Sequence, residues 1–235
     1  MKKLFVISDI HGHYRLLKKA LDKAGFDPKN PDHLLVGCGD YFDRGRENRE
    51  VLQYLERVEN KVLLRGNHED LLLKLFNTGR FLPHNYINGT LVTLENLFGK
   101  YVIEPEGDRV DFSGQTRMVD RVCGFMEDMV QYFETEHYVF VHGWLPQYVS
   151  RRVATENDWE EARWVKWTQR YNGCPPLKDK ILVCGHVPTF FATKFDGRSA
   201  DNADIFYGNG LIAVDAGTFD SHRVNVLVLE DNLLS

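Results

Sequence analysis

The sequence predicts an α/β fold built around a largely parallel β-sheet. Short runs of β-branched and aliphatic residues recur along the chain, and amphipathic helical segments separate the first three of them. A β-α-β-α-β start of this kind leaves its strands parallel through right-handed crossovers. Apolar residues make up 43% of the 235 residues and charged residues 27%, which is typical of a globular chain with a sizeable core.

The predicted elements follow one another in a regular order. Six apolar runs, each followed closely by Gly, Asp, Asn or His, are predicted to be buried strands: 4–7, 34–36, 62–64, 138–141, 181–183 and 211–214. Leu17 and Leu21 mark the apolar face of a first helix, and Val51 and Leu55 mark that of a second. A final run at 224–229 alternates apolar and polar residues and predicts another sheet strand.

Residues 69–135 are predicted to be mostly helical. Near the end of this segment lies an apolar stripe of Met118, Val122, Phe125, Met126, Met129 and Phe133. We interpret residues from about 80 to 135 as a helical insertion or cap. Because no convincing linker or internal repeat is visible, a single domain covering residues 1–235 is expected.

Composition excludes several classes of partner. The 29 Lys and Arg against 34 Asp and Glu give a net charge of −5, so no nucleic-acid partner is expected, since phosphate-backbone affinity comes from clustered Lys and Arg. No apolar run approaches the roughly 18 residues that span a bilayer, so no membrane partner is expected. The four cysteines form no CxxC pair, which favours a reducing cytoplasm over a disulfide framework.

Side chains that can bind metals follow five of the predicted strands. They are Asp9 and His11 after the first, Asp40 and Asp43 with Arg44 after the second, Asn67 and His68 after the third, His142 after the fourth and His186 after the fifth. The carboxyl ends of strands in an open α/β sheet converge on one crevice, so these side chains are expected to meet there.

The predicted ligand set suits two metal ions better than one. Its mixture of oxygen and nitrogen donors favours Mn, Fe or Zn over Ca, and six ligands are too many for one catalytic ion that must keep open positions. Two ions about 3.5–4 Å apart can clamp the attacking and leaving oxygens of an in-line displacement. The sequence therefore points to phosphoester hydrolysis.

The same segments resemble the ordered motifs of the phosphoprotein phosphatase family, within the calcineurin-like metallophosphoesterases. The matching strings are SDIHG (8–12), GDYFDRG (39–45), GNHE (66–69), VHG (141–143) and GH (185–186). The likeness is greatest to small bacterial and phage serine/threonine protein phosphatases. It extends from about residue 4 to 229 and is weak over residues 80–135. The resemblance implies two facing mixed β-sheets flanked by helices.

The resemblance also implies a role for each matching residue. Asp9 and His11 would bind one metal ion, Asp40 would bridge both ions, and the second ion would be held by Asn67, His142 and His186. His68 would be the general acid that protonates the leaving oxygen, oriented by Asp43, and Arg44 would bind the substrate phosphate. The nucleophile would be a metal-bridging hydroxide, and Asn67 would also lie at the substrate phosphate.

Two positions depart from the family pattern. Ser8 stands where the family usually has Gly, a change that leaves both neighbouring ligands in place. A second phosphate-binding Arg of the family falls on Lys166 in this chain, although Arg163 or Arg170 could serve instead. A Lys point charge does not replace the two-pronged Arg guanidinium conservatively.

Three further features have both a functional and a structural interpretation. Cys38 and Arg44 have the Cys-x5-Arg spacing of cysteine-dependent tyrosine phosphatases, yet two carboxylates within that loop would repel phosphate, which favours a buried Cys38. Asp215 could support a metal-bound His or cap a turn. A tryptophan cluster is expected to serve packing rather than base stacking, and comprises Trp159, Trp164 and Trp167.

Two other functions stay open at this point. A dinucleoside tetraphosphatase or another small-molecule phosphoesterase would use the same chemistry, but the related tetraphosphate hydrolases usually read GNHD, and Glu69 in GNHE favours a phosphoprotein substrate. A non-catalytic metal-binding interaction module is the alternative of another class, and it is disfavoured because every expected ligand and His68 are present.

Overall fold

Two mixed β-sheets lie face to face in the computed structural model, which describes residues 1–99 and 108–234. Across the first sheet the order is β3 (Lys61–Leu63), β2 (His33–Gly37), β1 (Lys2–Ile7) and β9 (Leu227–Asp231). Across the second it is β4 (Phe133–Glu134), β5 (Tyr138–Phe140), β6 (Ile181–Cys184), β8 (Leu211–Ala213) and β7 (Phe206–Gly208).

Each sheet has a parallel interior with antiparallel strands at its edges. Strands β1, β2 and β3 are parallel, as are β5, β6 and β8, whereas β9, β4 and β7 pair antiparallel. The predicted parallel strands are therefore confirmed. The sequence did not predict β4 and β7, because strands of two and three residues are too short to show an alternating pattern.

Helices cover the outer face of both sheets. In chain order they are α1 (Tyr14–Ala24), α2 (Asn48–Arg57), α3 (Asn67–Thr78), α4 (Pro83–Ile87), α5 (Thr90–Phe98), α6 (Thr116–Glu127), α7 (Glu156–Arg163), α8 (Trp167–Arg170), α9 (Thr193–Asp196) and α10 (Thr218–Ser221). Within the two described ranges, none of these helices is long and apolar enough to cross a membrane.

Alternation along β1 shows how the layers are built. Leu4 and Val6 pack in the apolar layer between the sheets, together with Phe140 and Val183 of the second sheet. Phe5 and the other outward residues of β1 pack beneath the helices of the first sheet. Because both faces of the strand are buried, its sequence is continuously apolar rather than alternating.

The predicted helical segment is largely confirmed, with corrections at its end. Helices α3 to α6 occupy most of it, and residues 100–107 lie outside the described residues. Phe133, predicted to continue the helical stripe, instead lies in β4 and stacks on Phe140 with ring centroids 5.7 Å apart. The last strand begins at Leu227 rather than 224, because the Asn225 amide donates to the carbonyls of Ala203 and Val214.

Candidate active site

Six parallel strands end at one cleft of about 170 Å³. The loops after β1, β2, β3, β6 and β8 supply much of its lining, and the His142 side chain after β5 is buried behind it. The lining residues are Asp9, His11, Asp40, Arg44, Asn67, His68, Asn88, Trp164, His186, Pro188, Asp215 and Gly217. The structure thus brings together the side chains predicted from the strand ends.

The backbone of this cleft adopts an unusual conformation. In the described ranges seven non-glycine residues have positive φ, and six of them are Asp9, His11, Asp40, Asp43, Arg44 and His186. Left-handed backbone costs a residue with a Cβ roughly 1–2 kcal/mol. Such a concentration of strained residues is typical of functional sites, where the surrounding structure holds side chains in fixed directions.

Two groups of potential metal ligands share one carboxylate. His11, Asp40 and His68 form the first group, Asp40 with His142 and His186 forms the second, and in each group the ligand atoms lie within 4.8 Å of one another. Asp40 Oδ2 is 3.8 Å from His11 Nε2, while Asp40 Oδ1 is 3.5 Å from His142 Nε2. Each carboxylate oxygen therefore faces a different group, an arrangement in which one carboxylate can bridge two ions.

Backbone carbonyls orient two of the imidazoles. His11 Nδ1 donates to the carbonyl of Phe42 over 2.9 Å, and His142 Nδ1 donates to that of Cys38 over 2.7 Å. These bonds leave Nε2 of each ring directed toward Asp40, in the tautomer that a metal ligand needs.

The His186 ring carries an unsatisfied polar atom. Its Nε2 is buried and has no hydrogen-bond partner in the part of the chain that the structure describes. Burial lowers the pKa of His186 to about 3, and burial, with the neighbouring His68, lowers the pKa of His11 as well. Both rings are therefore neutral at pH 7, which metal ligation requires. The donor set fits cations bound on either side of Asp40.

The two carboxylates of the ligand set have opposite environments. Burial and the charge of Asp40 raise the pKa of Asp9 to about 6. Burial opposes ionisation of Asp40 too, but the surrounding histidines, led by His142, hold the pKa of Asp40 well below its ordinary value. Asp9 Oδ2 accepts hydrogen bonds from the Ser8 hydroxyl and from the His186 backbone N–H, the latter over 2.9 Å. Ser8 thus supports the neighbouring carboxylate.

Asn67 and His68 begin α3 directly beneath Asp40. Asn67 Oδ1 lies 2.8 Å from His142 Nε2, so two candidate ligand atoms are adjacent. The backbone N–H of His68 donates to Asp40 Oδ1 over 3.0 Å. A side chain at Gly66 would collide with Asp40, since its Cβ would lie 2.5 Å from the Asp40 nitrogen, which explains the glycine that precedes this pair.

His68 and Asp43 form a buried pair. His68 Nδ1 donates to Asp43 Oδ2 over 2.8 Å, and Asp43 is fully buried. Burial lowers the pKa of His68, but the charge of Asp40 and the bond to Asp43 outweigh it and raise that pKa to about 9. The ring can therefore hold a proton at neutral pH, as a general acid must.

Glu69 ties this helix to the loop after β2. Its carboxylate accepts backbone N–H groups of Asp40, Tyr41 and Gly66 over 2.8–2.9 Å. Burial, with the charge of Asp40, raises the pKa of Glu69 to about 7. Glu69 is thus a structural support that fixes the backbone on both sides of the shared carboxylate.

The predicted phosphate-binding cations have different surroundings. Arg44 lines the cleft and forms no salt bridge within residues 1–99 and 108–234. Arg163 is 2% exposed and pairs with Asp70 and Glu156. Lys166 is exposed just before α8 and is not among the lining residues, so its role stays a prediction that rests on the resemblance. Arg170 is also exposed and donates to Gln147.

Four lining residues were not predicted from the sequence as site residues: Asn88, Trp164, Pro188 and Gly217. Asn88 precedes Gly89, and this dipeptide indicates a turn but not its place beside Arg44. Trp164 was expected to pack with Trp159 and Trp167, which are buried, yet it is 47% exposed and its ring edge faces His186 at 6.3 Å between centroids. The Asn-Gly pair indicates only a turn and the tryptophan cluster indicates only packing, so neither signal places its residue at the cleft.

The contacts of Cys38 and Asp215 favour a structural role for each residue. Cys38 is fully buried, and burial raises the pKa of its thiol, so a thiolate nucleophile is not formed there. Asp215 Oδ1 accepts the backbone N–H of Gly217 over 2.6 Å, which is a turn contact.

Comparison with known proteins adds relatives that are named as phosphatases. Serine/threonine-protein phosphatase 2 of Escherichia coli (strain K12) is 40% identical over 78 residues, or 33% of this chain and 34% of that protein. A symmetrical bis(5'-nucleosyl)-tetraphosphatase of Photorhabdus laumondii is 37% identical over 73 residues, or 31% of this chain and 26% of that protein. The chain spans about a third or less of the length of these relatives.

Solved structures and a family comparison extend the likeness. The structure of a cold-active protein-tyrosine phosphatase from a psychrophilic Shewanella species has a TM-score of 0.60 at 18% identity, and the match covers 99% of this chain and 76% of that one. This likeness concerns the fold alone. The calcineurin-like phosphoesterase family matches residues 2–190, which include every motif quoted above. The chain therefore belongs to the calcineurin-like phosphoesterase family.

Proposed function

We propose that this chain is a dinuclear metal-dependent phosphomonoesterase of the protein serine/threonine phosphatase type. The observation that carries the proposal is the position of Asp40, whose two oxygens face separate groups of buried ligands. Asp9 and His11 would complete one metal site. The other would be completed by Asn67, His142 and His186. Mn, Fe or Zn suits this mixture of donors.

Divalent ions held there would supply an activated water at neutral pH and withdraw charge from the phosphate oxygens. Arg44 would bind the non-bridging phosphate oxygens through its planar array of N–H donors. Asn67, the backbone of which is held at the start of α3, would lie beside the same phosphate.

His68 would complete the reaction as general acid. As the oxygen of the attacking water bonds to phosphorus and the P–O bond to the leaving group breaks, the electron pair of the broken bond would stay on the leaving oxygen, which would take the proton from His68 Nε2. Asp43 accepts a hydrogen bond from the Nδ1–H and so keeps Nε2 directed to the cleft. A positioned acid of this kind typically contributes about 10²–10⁴ in rate.

A phosphoprotein is the substrate class we propose first. Trp164 lines the cleft and is 47% exposed, so its ring could contact the protein part of such a substrate. Relatives named as dinucleoside tetraphosphatases support a second candidate, a small phosphoester substrate. A cytoplasmic location stays part of the proposal, since the four cysteines are unpaired.

The test is phosphatase activity after metal removal. Metal-stripped protein is assayed on p-nitrophenyl phosphate, a phosphothreonine peptide and a dinucleoside tetraphosphate, with Mn, Fe, Zn, Ni or Mg added back. Metal-dependent turnover of the peptide supports the proposal, and turnover of the tetraphosphate alone supports the second candidate. Absence of turnover on every substrate, with metal bound, would instead support a non-catalytic module.

A further inference from the structure

Helices α4 and α5 contact the loop that carries Asp43 and Arg44. The carbonyl of Asn88, between the two helices, accepts the backbone N–H of Arg44 over 3.0 Å. Gly89 has φ +71° and packs so closely that a Cβ there would lie 3.1 Å from the Arg44 nitrogen and Cα. This segment falls in the region where the sequence resembles the family weakly, yet it touches the proposed phosphate-binding loop directly.

One side chain of α5 extends this contact to the His68–Asp43 pair. The Thr93 hydroxyl donates to Asp43 Oδ1 over 2.9 Å, while Asp43 Oδ2 accepts a hydrogen bond from His68 Nδ1–H over 2.8 Å. Thr93 and Asp43 are both fully buried, and His68 is 3% exposed. Both oxygens of the carboxylate are therefore occupied, one by the imidazole and one by the threonine.

We propose that Thr93 is a positioning residue for the His68 proton donor, an inference that rests on the proposed function. A carboxylate can rotate about its terminal torsion, which has broad minima. The Thr93 hydroxyl fixes that rotation and satisfies the second oxygen, so Oδ2 stays in line with His68 Nδ1. Without it, a buried acceptor loses its partner and the imidazole loses a fixed orientation.

Thr90 provides a matched control on the same helix. It is fully buried like Thr93, but its hydroxyl has no partner in the described part of the chain. Thr90→Val and Thr93→Val therefore make the same isosteric change at the same depth, and only the second removes the bond to Asp43. Thr93→Ser keeps a hydroxyl and serves as the rescue variant.

The experiment compares leaving groups, because a general acid matters most when the leaving oxygen is a strong base. Wild type and the three variants are assayed as metal-loaded holoenzymes on two substrates. A phosphothreonine peptide has a strongly basic alkoxide leaving group, and p-nitrophenyl phosphate has a weakly basic one. Melting temperature and bound metal are measured alongside. We expect Thr93→Val to lower kcat about tenfold or more on the peptide and less than about threefold on the aryl ester.

The outcomes separate this inference from the proposed function. Near-wild-type rates for Thr93→Ser and Thr90→Val would further support the positioning role of Thr93. Equal losses on both esters, or no loss on either, would overturn the role of Thr93 while leaving the phosphatase proposal intact. An inactive wild-type holoenzyme would overturn the proposed function and, with it, the role of Thr93. If Thr93→Val melts below the assay temperature, Thr93→Ala and Thr93→Ser are compared on the same two esters. An equal ratio of peptide kcat to aryl-ester kcat in the two variants would again overturn the role of Thr93.

Discussion

The loops of the first sheet and those of the second build different parts of the cleft. The connection from β1 to the next helix is only residues 8–13, and it holds Asp9 and His11. The connection from β3 to α3 is only residues 64–66, so Asn67 and His68 follow almost directly. After β5, a longer connection reaches α7 at Glu156 and holds His142 near its start. Short loops restrict side chains closely, whereas long ones admit variation. The cleft therefore divides into closely held side chains, which include His142 and His186 from the second sheet, and a more variable rim at Trp164.

This division predicts that changes after the first sheet reduce turnover, whereas changes at the rim alter substrate preference. Asp40→Asn should have the largest effect, because it removes the charge that both ligand groups share. Metal catalysis stabilises the transition state by several kcal/mol, so kcat should fall by about a thousandfold. The amount of bound metal, measured by elemental mass spectrometry, should fall as well. A folded, metal-loaded Asp40→Asn with full turnover would contradict the bridging assignment.

His68→Asn should be second in size. It removes the proposed proton donor and leaves Asp40 and the other candidate ligands in place, so kcat on a phosphothreonine peptide should fall by about a hundredfold, the lower end of what a positioned general acid contributes. The metal content should stay close to that of the wild type, which distinguishes this variant from Asp40→Asn. Unchanged kcat would mean that another group protonates the leaving oxygen.

Trp164→Ala tests the rim after the second sheet and should have a smaller effect. Trp164 is half exposed above His186, so its ring is available to a substrate larger than the phosphate itself. We expect kcat/KM to fall about tenfold on a phosphopeptide, with kcat on p-nitrophenyl phosphate within about twofold of wild type, since an aromatic contact contributes about 0.5–1.5 kcal/mol. Equal losses on both substrates would place Trp164 in the chemistry rather than in substrate contact.

A stability measurement at low pH should show the smallest effect, and it concerns the second sheet alone. Burial disfavours the charge on Glu134, but hydrogen bonds from Arg151 and Lys180 lower the pKa of Glu134 to about 2. A folded-state pKa below the unfolded value near 4.5 adds stability above pH 4.5, and that stability is lost as pH falls toward 2.

Glu134→Gln removes this pH-dependent contribution. In metal-stripped protein, the drop in melting temperature between pH 6 and pH 3 should be smaller for Glu134→Gln than for wild type by about 2–4 °C. That difference corresponds to about 1 kcal/mol for a chain of this length, after screening by solvent. Identical drops in both proteins would show that the ion pairs of Glu134 add no stability.

The sequence predicted the first sheet and its strand-end residues better than the surroundings of the cleft. Buried parallel strands leave continuous apolar runs such as 4–7, and polar residues directly after them are visible as breaks. Glu69 was noted for substrate choice, but its three bonds to the backbone depend on two distant loops meeting. Thr93 left no signal for the same reason, since it lies fifty residues from Asp43 in the chain. The roles assigned to the cleft residues stay predictions until the variants are measured.

The left-handed residues of the cleft have a consequence for protein engineering. Asp9, Asp40 and Asp43 each occupy a backbone region that glycine adopts without penalty. Asp9 also has a raised pKa, so its charge destabilises the folded chain, and a heat-stability selection that ignores activity would favour glycine or asparagine there. That gain would remove a proposed metal ligand. Stability-guided engineering of this chain therefore has to exclude the cleft backbone, because there stability and function compete for the same residues.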